Sequence, residues 1–345
     1  MSTIKDVAKL AGVGVGTVSR HLSGNGSISE KSAQKVVNAM SALNYRPNSI
    51  ARSLSSKKSN MIGLWVPSFS GSFHRKMLQT IERELRRRGK HIILANGEDA
   101  ETAEDRISSI DYLINRDCDG ILMSCPEFSV TELKKIEARY PNIVFINRYI
   151  DGLDNNTFCV NHYHGGKLAA RHLAKLGHTK IAVVTGRMNA QDAKSRHQGF
   201  IDELSRFEIE VEDSLIESGG YSFEQGATAT QRLLDKGIAF SALFCGNDNS
   251  AMAAISVFHQ KGIIVGEDIS VVGYDDIDIS SYTAPALTSI NIPLEELTRN
   301  ACHQLLNLCY GDNLYVETNF EPTLSIREST SIVEKTAIQQ MNNNT

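Results

Sequence analysis

Two sets of side chains in this 345-residue chain have types and spacings that could do chemistry. The first is Val15, Gly16, Thr17, Ser19 and Arg20, the small and polar positions of the second half of the stretch IKDVAKLAGVGVGTVSRHL. An arginine so placed can donate two parallel hydrogen bonds to guanine O6 and N7, which discriminates between bases by about 1–3 kcal/mol. The second set is polar and follows short apolar runs: Ser68, Asn147-Arg148, Asn247-Asp248 and Asp275-Asp276. Carboxylate, amide and guanidinium groups are what a sugar's hydroxyls require around them. An aromatic face beneath its C–H groups completes such a site.

The elements that must position the first set read as helix, tight turn, helix. Val7, Leu10 and Ala11 share one helical face, as do Val18 and Leu22. Gly12 suits a turn at positive φ, and Val13 can plug the angle between the helices. This is the layout of a helix-turn-helix whose second helix enters a DNA major groove. A third helix is expected from Ser29, its cap, with Ala33, Val36, Val37, Met40 and Leu43 at helical spacing. Pro47 disfavours helix at Arg46 and ends it. Residues 48–55, NSIARSLS, form a short helical segment capped by Asn48 and too short to be stable alone. A polar linker, 55–60, follows.

The second set requires a different scaffold. Short apolar runs at 62–66, 91–95, 120–124, 143–146, 181–185, 242–245 and 270–274 predict strands. They alternate with amphipathic helices at 73–88, 101–115, 131–140, 165–176, 192–205, 223–235, 250–261 and 294–308. Such alternation implies α/β architecture with doubly wound parallel sheets, and about 270 residues of it suggest two lobes. In these sheets ligands sit beyond the carboxyl ends of the strands, where the polar residues lie.

Composition narrows the function. The net charge of -4 hides a split: residues 1–60 hold nine Lys and Arg against two Asp and Glu, a net +7, leaving -11 on the rest. A basic head on an acidic body fits polyanion binding at one end only. The sequence has no run of about eighteen apolar residues and opens without an apolar leader stretch, so a cytoplasmic protein without membrane contact is expected. The six cysteines, Cys118, Cys125, Cys159, Cys245, Cys302 and Cys309, show no CxxC spacing and read as reduced thiols. Gly12-Val13-Gly14-Val15-Gly16 lacks the preceding strand and the Lys-Ser/Thr of a phosphate loop. Asp275-Asp276-Ile277-Asp278 offers no coherent metal spacing. No nucleophile elbow or metalloprotease helix is present, so neither a catalytic residue, a metal nor a cofactor is expected.

Over about residues 2–330 the chain resembles the lactose/galactose repressor family of bacterial transcription regulators. TIKDVAKLAGVGVGTVSRHL resembles the family's headpiece, and LNYRPNSIARSL its hinge. LAKLGHTKIAVVTG, SRHQGF, ALFCGNDNSAMAA and ISVVGYDDIDISSYTAPALTSI resemble landmarks of its regulatory core. INR at 146–148 and ANG at 95–97 are closest to the galactose-repressor branch.

The resemblance implies a helix-turn-helix headpiece (1–47), a hinge helix with linker (48–59) and a core of periplasmic-binding-protein type (60–330). The core would comprise two Rossmann-like lobes, about 60–160 with 292–321 and 161–291 with 322–330, joined by three crossovers. The tail 331–345 is polar and expected to be disordered, with no heptad repeat for tetramer formation. The implied function is a homodimeric repressor of sugar-utilisation genes that binds double-stranded operator DNA under control of a small sugar, a hexose such as galactose. A nucleobase corepressor, or a solute-binding protein of the same fold, is the alternative.

By the same resemblance Val15, Gly16 and Arg20 take base-reading positions, and Thr17, Ser19, Tyr45 and Asn48 phosphate contacts. Leu54, with Ala51 beside it, takes the place of the residue that wedges into the minor groove. For the effector the implied residues are Phe73, Asn147 and Arg148 from one lobe, and Asp192, Arg196, Tyr221, Asn247 and Asp275 from the other. Three departures stand out. Positions 15 and 16 are shorter or less polar than is common, Gly14 replaces a capping Ser or Thr, and Asn161-His162 replaces an Asp-Asn pair at the lobe hinge.

Overall fold

A computed structural model describes residues 2–23, 27–45, 58–69, 71–97, 102–126 and 128–333. The chain forms two compact units, Met1–Met61 with Asp117–Asp119, and the remainder.

The first unit holds three helices. Helix α1 (Ile4–Ala11) starts with a capping box: Thr3 Oγ1 accepts from the Asp6 amide, and Asp6 Oδ2 accepts from the Thr3 amide at 2.8 Å. Gly12, at φ 64°, turns the chain out of α1 in a conformation that disfavours side-chain-bearing residues. Helix α2 (Val15–Ser23) follows, and α3 (Glu30–Ala42) begins at the Ser29 cap. Val7, Ala8, Ala11, Val18, Val36 and Ala39 form the core, with Val13, Leu22, Met40, Leu43 and Tyr45 packed around it. The expected apolar face is too wide at two positions, because Leu10 is 55% exposed and Val37 42% exposed. Ala8 is buried in α1 instead, beside Val7 and Ala11, so the packed face is rotated toward Ala8 and away from Leu10.

The larger unit is built on two sheets. The first takes β1 (Met61–Val66), α4 (Ser72–Arg86), β2 (His91–Asn96), α5 (Ala103–Ile114), β3 (Gly120–Ser124), α6 (Val130–Arg139), β4 (Ile143–Ile146) and β5 (Thr157–Phe158), in strand order β2-β1-β3-β4-β5. The second takes α7 (His162–Lys175), β6 (Ile181–Thr185), α8 (Gln191–Ser205), β7 (Ile216–Ser218), α9 (Phe223–Asp235), β8 (Ala242–Cys245), α10 (Asp248–Gln260), β9 (Ser270–Asp275), β10 (Thr288–Asn291) and β11 (Thr323–Ser325). Its order is β11-β10-β9-β8-β6-β7, parallel except for β11 against β10. Central strands such as β3, β4, β6 and β8 are buried at every residue, as sheets covered on both faces require.

The chain passes between these layers three times. It leaves the first sheet after β5 and enters the second lobe with α7. After β10 it returns as α11 (Leu294–Tyr310), which buries Leu297, Ala301 and Leu305 against α4 and the first sheet. It then crosses back to β11. Two crossings run side by side at a Val160–Phe320 bridge, where the Asn161 amide donates to the Phe320 carbonyl at 3.1 Å.

Every strand and helix expected within the described residues appears, with ends that coincide or shift by up to three residues, while the helical segment expected at 48–55 lies outside them. Strands β5, β7, β10 and β11 were not expected from the sequence. They are two to four residues long, and three lie on sheet edges, so each lacks the apolar run that marks a covered strand. The chain beyond 330 is held further than expected: the Ser331 amide donates to Ser270 Oγ, and the Val333 amide to the Leu176 carbonyl at 3.0 Å. Residues 334–345 lie outside the described residues.

One buried carboxylate fixes the loop after β9. Asp248 accepts from Ser280 Oγ at 2.6 Å, from Ser289 Oγ at 2.5 Å and from the Ile277 amide at 2.8 Å. Burial raises its pKa to about 6, against the pull of those hydrogen bonds. Asp248→Ala leaves three donors unpaired, so urea denaturation should show a loss of about 3–5 kcal/mol.

Candidate functional site

On α2 the side chains of Ser19 and Arg20 are exposed, Val15 is 43% exposed and Thr17 is half-buried. Arg20 Nε donates to the Gly16 carbonyl at 3.2 Å, which lays its stem along the helix surface. Gly14 occupies the cap position of α2, and its carbonyl accepts from the Thr17 and Val18 amides. With no side chain there, no hydroxyl caps the helix. Tyr45 packs on the three-helix core. Asn48, Ala51 and Leu54 lie outside the described residues.

In the larger unit the strand ends bring most of the second set together. Arg196 of α8 is 4% exposed. Its guanidinium lies over the Tyr274 ring, 3.6 Å from the centroid, and its Nη2 is 3.6 Å from Asp192 Oδ2. Its Nη1 donates to the Gly246 carbonyl, while Nε is buried without a partner. Burial disfavours the cation, but Tyr274, Tyr221, Asp275 and Asp192 outweigh it, so Arg196 stays charged. Asp192 also accepts from Tyr221 Oη at 3.2 Å. Tyr221 sits against Gly186, where any Cβ would overlap its ring.

Asn247 caps α10, its Oδ1 accepting from the Ser250 amide, and its Nδ2 donates to the Tyr221 carbonyl at 3.0 Å. It thereby fixes the backbone that carries Tyr221. Asp275 ends β9 at φ 99° and Asn147 follows β4 at φ 57°, both in a region that costs a side-chain-bearing residue conformational energy. The Asp275 carboxylate is half-buried and accepts no hydrogen bond from another described residue. Burial holds its pKa well above the usual range, with Arg196 pulling the other way.

Two members of the expected set contact residues outside it. Arg148 is buried and donates from Nη2 to the Phe128 carbonyl at 3.1 Å. Phe73 packs edge-on to the His74 ring and against the core.

The sequence reading missed His162 and Tyr274. His162 Nδ1 lies 2.9 Å from Tyr274 Oη, and its Nε2 lies 2.7 Å from Asn147 Oδ1. The replaced hinge pair was the available signal. Asn161 makes its own hinge contact, donating from Nδ2 to Glu321 at 3.1 Å. A cavity of about 320 Å³ opens beside His162 and Asp192, and another of about 470 Å³ between Phe69, Ser72, Phe223 and Asn249. No cluster of three or more His, Cys, Asp or Glu among the described residues could hold a metal ion. No helix among them is long and apolar enough to cross a membrane.

An exposed polar helix over a three-helix core, followed by two lobes with polar strand ends, defines a DNA-binding regulator with a ligand-binding core. Residues 3–48 match the family described as bacterial regulatory proteins, lacI family, and residues 170–330 a periplasmic binding protein-like domain. The chain is 34% identical to the transcriptional regulator AscG of Escherichia coli over 95% of its own length and 98% of that protein's. It is equally identical to the regulator GalR of Escherichia coli over 96% of each. Among solved structures, the lac repressor dimer bound to operator and the anti-inducer ONPF superposes with a TM-score of 0.86 at 29% identity, covering 96% of this chain and 99% of that one. The chain belongs to the LacI/GalR family. It is a DNA-binding transcription repressor with an effector-binding domain, and not an enzyme.

Burial, and then the nearby Arg196, lowers the His162 pKa to about 3. Between that value and the ordinary 6.5 the unfolded chain holds the extra proton. This histidine therefore stabilises the fold fully above about pH 6.5 and costs up to about 1.4 kcal/mol per pH unit as pH falls below it. Asp248, raised to about 6, works in the opposite sense over pH 4–6. The contribution is therefore isolated by difference: urea stability from pH 7 to 5 should fall more steeply for the wild type than for His162→Gln.

Proposed function

We propose that this chain is a cytoplasmic, homodimeric repressor whose operator affinity is set by a neutral hexose such as galactose, bound between the lobes. The observation that carries the sugar reading is the Asp275 carboxyl, strained and desolvated, with no hydrogen-bond donor to it among the described residues. Such a group is costly until a ligand brings O–H donors. Arg196 and Asp192 beside it supply a second donor–acceptor pair, the Tyr221 ring an apolar face, and Asn147 an amide from the other lobe. Phe73, Arg148 and Asn247 fill supporting places: Asn247 holds Tyr221, and Arg148 ties the turn after β4 to Phe128.

At the other end, Arg20 and Val15 read bases, Gly16 takes a base-reading position with no side chain to read with, and Thr17, Ser19, Tyr45 and Asn48 hold phosphates. Leu54, with Ala51, wedges the minor groove. One headpiece per chain makes a two-fold operator the natural target of a dimer, with half-sites about one helical turn apart. The lac repressor's dimeric, operator-bound form supports this arrangement. Control is a population shift: the sugar favours one closure of the lobes, and the marginal hinge segments no longer pair.

The deciding experiment measures affinity for a selected operator with D-galactose, other hexoses and nucleobases added in turn. A hexose should weaken binding. If none does, the sugar reading fails, and tightening by a nucleobase would identify corepression. Asp275→Asn should bind operator as the wild type does and lose the hexose response. Arg20→Ala should lose about tenfold or more of operator preference while keeping weak, salt-sensitive binding to any duplex; an equal loss on all DNA would contradict the assignment.

A further inference from the structure

We infer that His162 is a positioning residue that sets the closure of the two lobes, one imidazole on a crossover holding Asn147 of the first lobe and Tyr274 of the second. Asn147 sits where β4 ends, and Tyr274 is the penultimate residue of β9. Between them His162 opens α7, just beyond the Val160–Phe320 bridge where two crossings meet. The imidazole is 3% exposed, so neither of its nitrogens has water to fall back on. The donor pattern fixes one arrangement. Asn147 Oδ1 can only accept, so Nε2 carries the proton and donates, and Nδ1 accepts from the Tyr274 hydroxyl. That leaves Asn147 Nδ2 without a partner among the described residues and able to donate to a ligand.

Any opening of the lobes about the crossovers changes the Asn147–Tyr274 separation. A rigid ring of fixed width cannot follow both partners, so opening breaks at least one bond in a buried place. The grip also reaches the ligand cluster, because the Tyr274 ring carries the Arg196 guanidinium on its face. The imidazole thus links the amide of one lobe to the charged group of the other. The ligand side of this link rests on the effector reading above; the closure does not.

The test therefore uses no ligand. Nitroxide labels are introduced through a non-natural amino acid at exposed Ala138 of α6 and Thr228 of α9, one on each lobe. The full-length double-labelled chain is diluted with unlabelled chain, and the interlobe distance is read by pulsed electron spin resonance. The wild type should give one narrow distance peak. His162→Phe should lose it to a broad or displaced distribution. His162→Gln, whose amide keeps one donor and one acceptor, should restore it. Tyr274→Phe removes only the hydroxyl and should broaden the peak in the same way should His162→Phe not fold. Peaks for His162→Phe or Tyr274→Phe that superpose on the wild type would overturn the inference. So would a His162→Gln distribution as broad as that of His162→Phe. A chain whose operator binding ignores every hexose added, but whose distance peak is lost with these variants, would refute the sugar reading alone.

Discussion

A guanidinium withdrawn from water is the constraint around which the second lobe is arranged. Removing a charge from water costs several kcal/mol even after relaxation, and the loss is recovered only with good geometry. Arg196 obtains it from three separate elements: Asp192 one turn away on α8, the Gly246 carbonyl after β8, and the face of Tyr274 at the end of β9. The cation is therefore satisfied only when α8 and the ends of β8 and β9 are in register. The same register places Asp275 and Tyr221. Burial is what chiefly keeps His162 neutral, and the charge on Arg196 adds to it, so the crossover also feels the guanidinium.

The three crossings shape what the core can do. Each lobe is a sheet with helices on both faces, close-packed and stiff. The segments between them are short, and two of them are joined by the Val160–Phe320 bridge. Bending there is the soft coordinate, and contacts that span it carry more weight than their number suggests. Besides the imidazole, the Gln191 side chain accepts from the Tyr149 amide at 3.1 Å, and Lys76 approaches Asp278 to 3.6 Å. The latter pair is solvent-exposed and worth little. Of these spanning contacts, the imidazole's is the buried one.

Much of this was legible in the sequence. Covered strands announce themselves as apolar runs, which made six of the eleven strands among the described residues readable, and the edge strand β2 was read from its apolar run although none of its residues is buried. The remainder are short or at edges, where neither burial nor alternation leaves a mark. In the headpiece the periodicity of α1 was right in kind but named Leu10 where Ala8 is buried, because small residues at a close helix crossing carry little weight in a pattern built on bulk. Asp192, Arg196, Tyr221 and Asp275 came together as the motifs suggested. Arg148 turns its Nη2 to the Phe128 carbonyl, and a residue type at a strand end does not say which way a long side chain turns. His162 was visible only as an irregularity in the hinge pair. Its meaning depends on Asn147 and Tyr274, which are 15 positions before it and 112 after it.

Gly16 lies on the exposed side of α2, and a Cβ added there would meet no atom within 4 Å. Glycine costs a helix roughly 0.5–1 kcal/mol relative to alanine, so almost any replacement at this position would steady α2 rather than disturb it. In its proposed base-reading place, Gly16 is thus decoupled from the fold that carries it. New letters can be written into this position at no thermodynamic penalty, which leaves the target sequence open to change by single substitutions while the lobes and their ligand stay as they are.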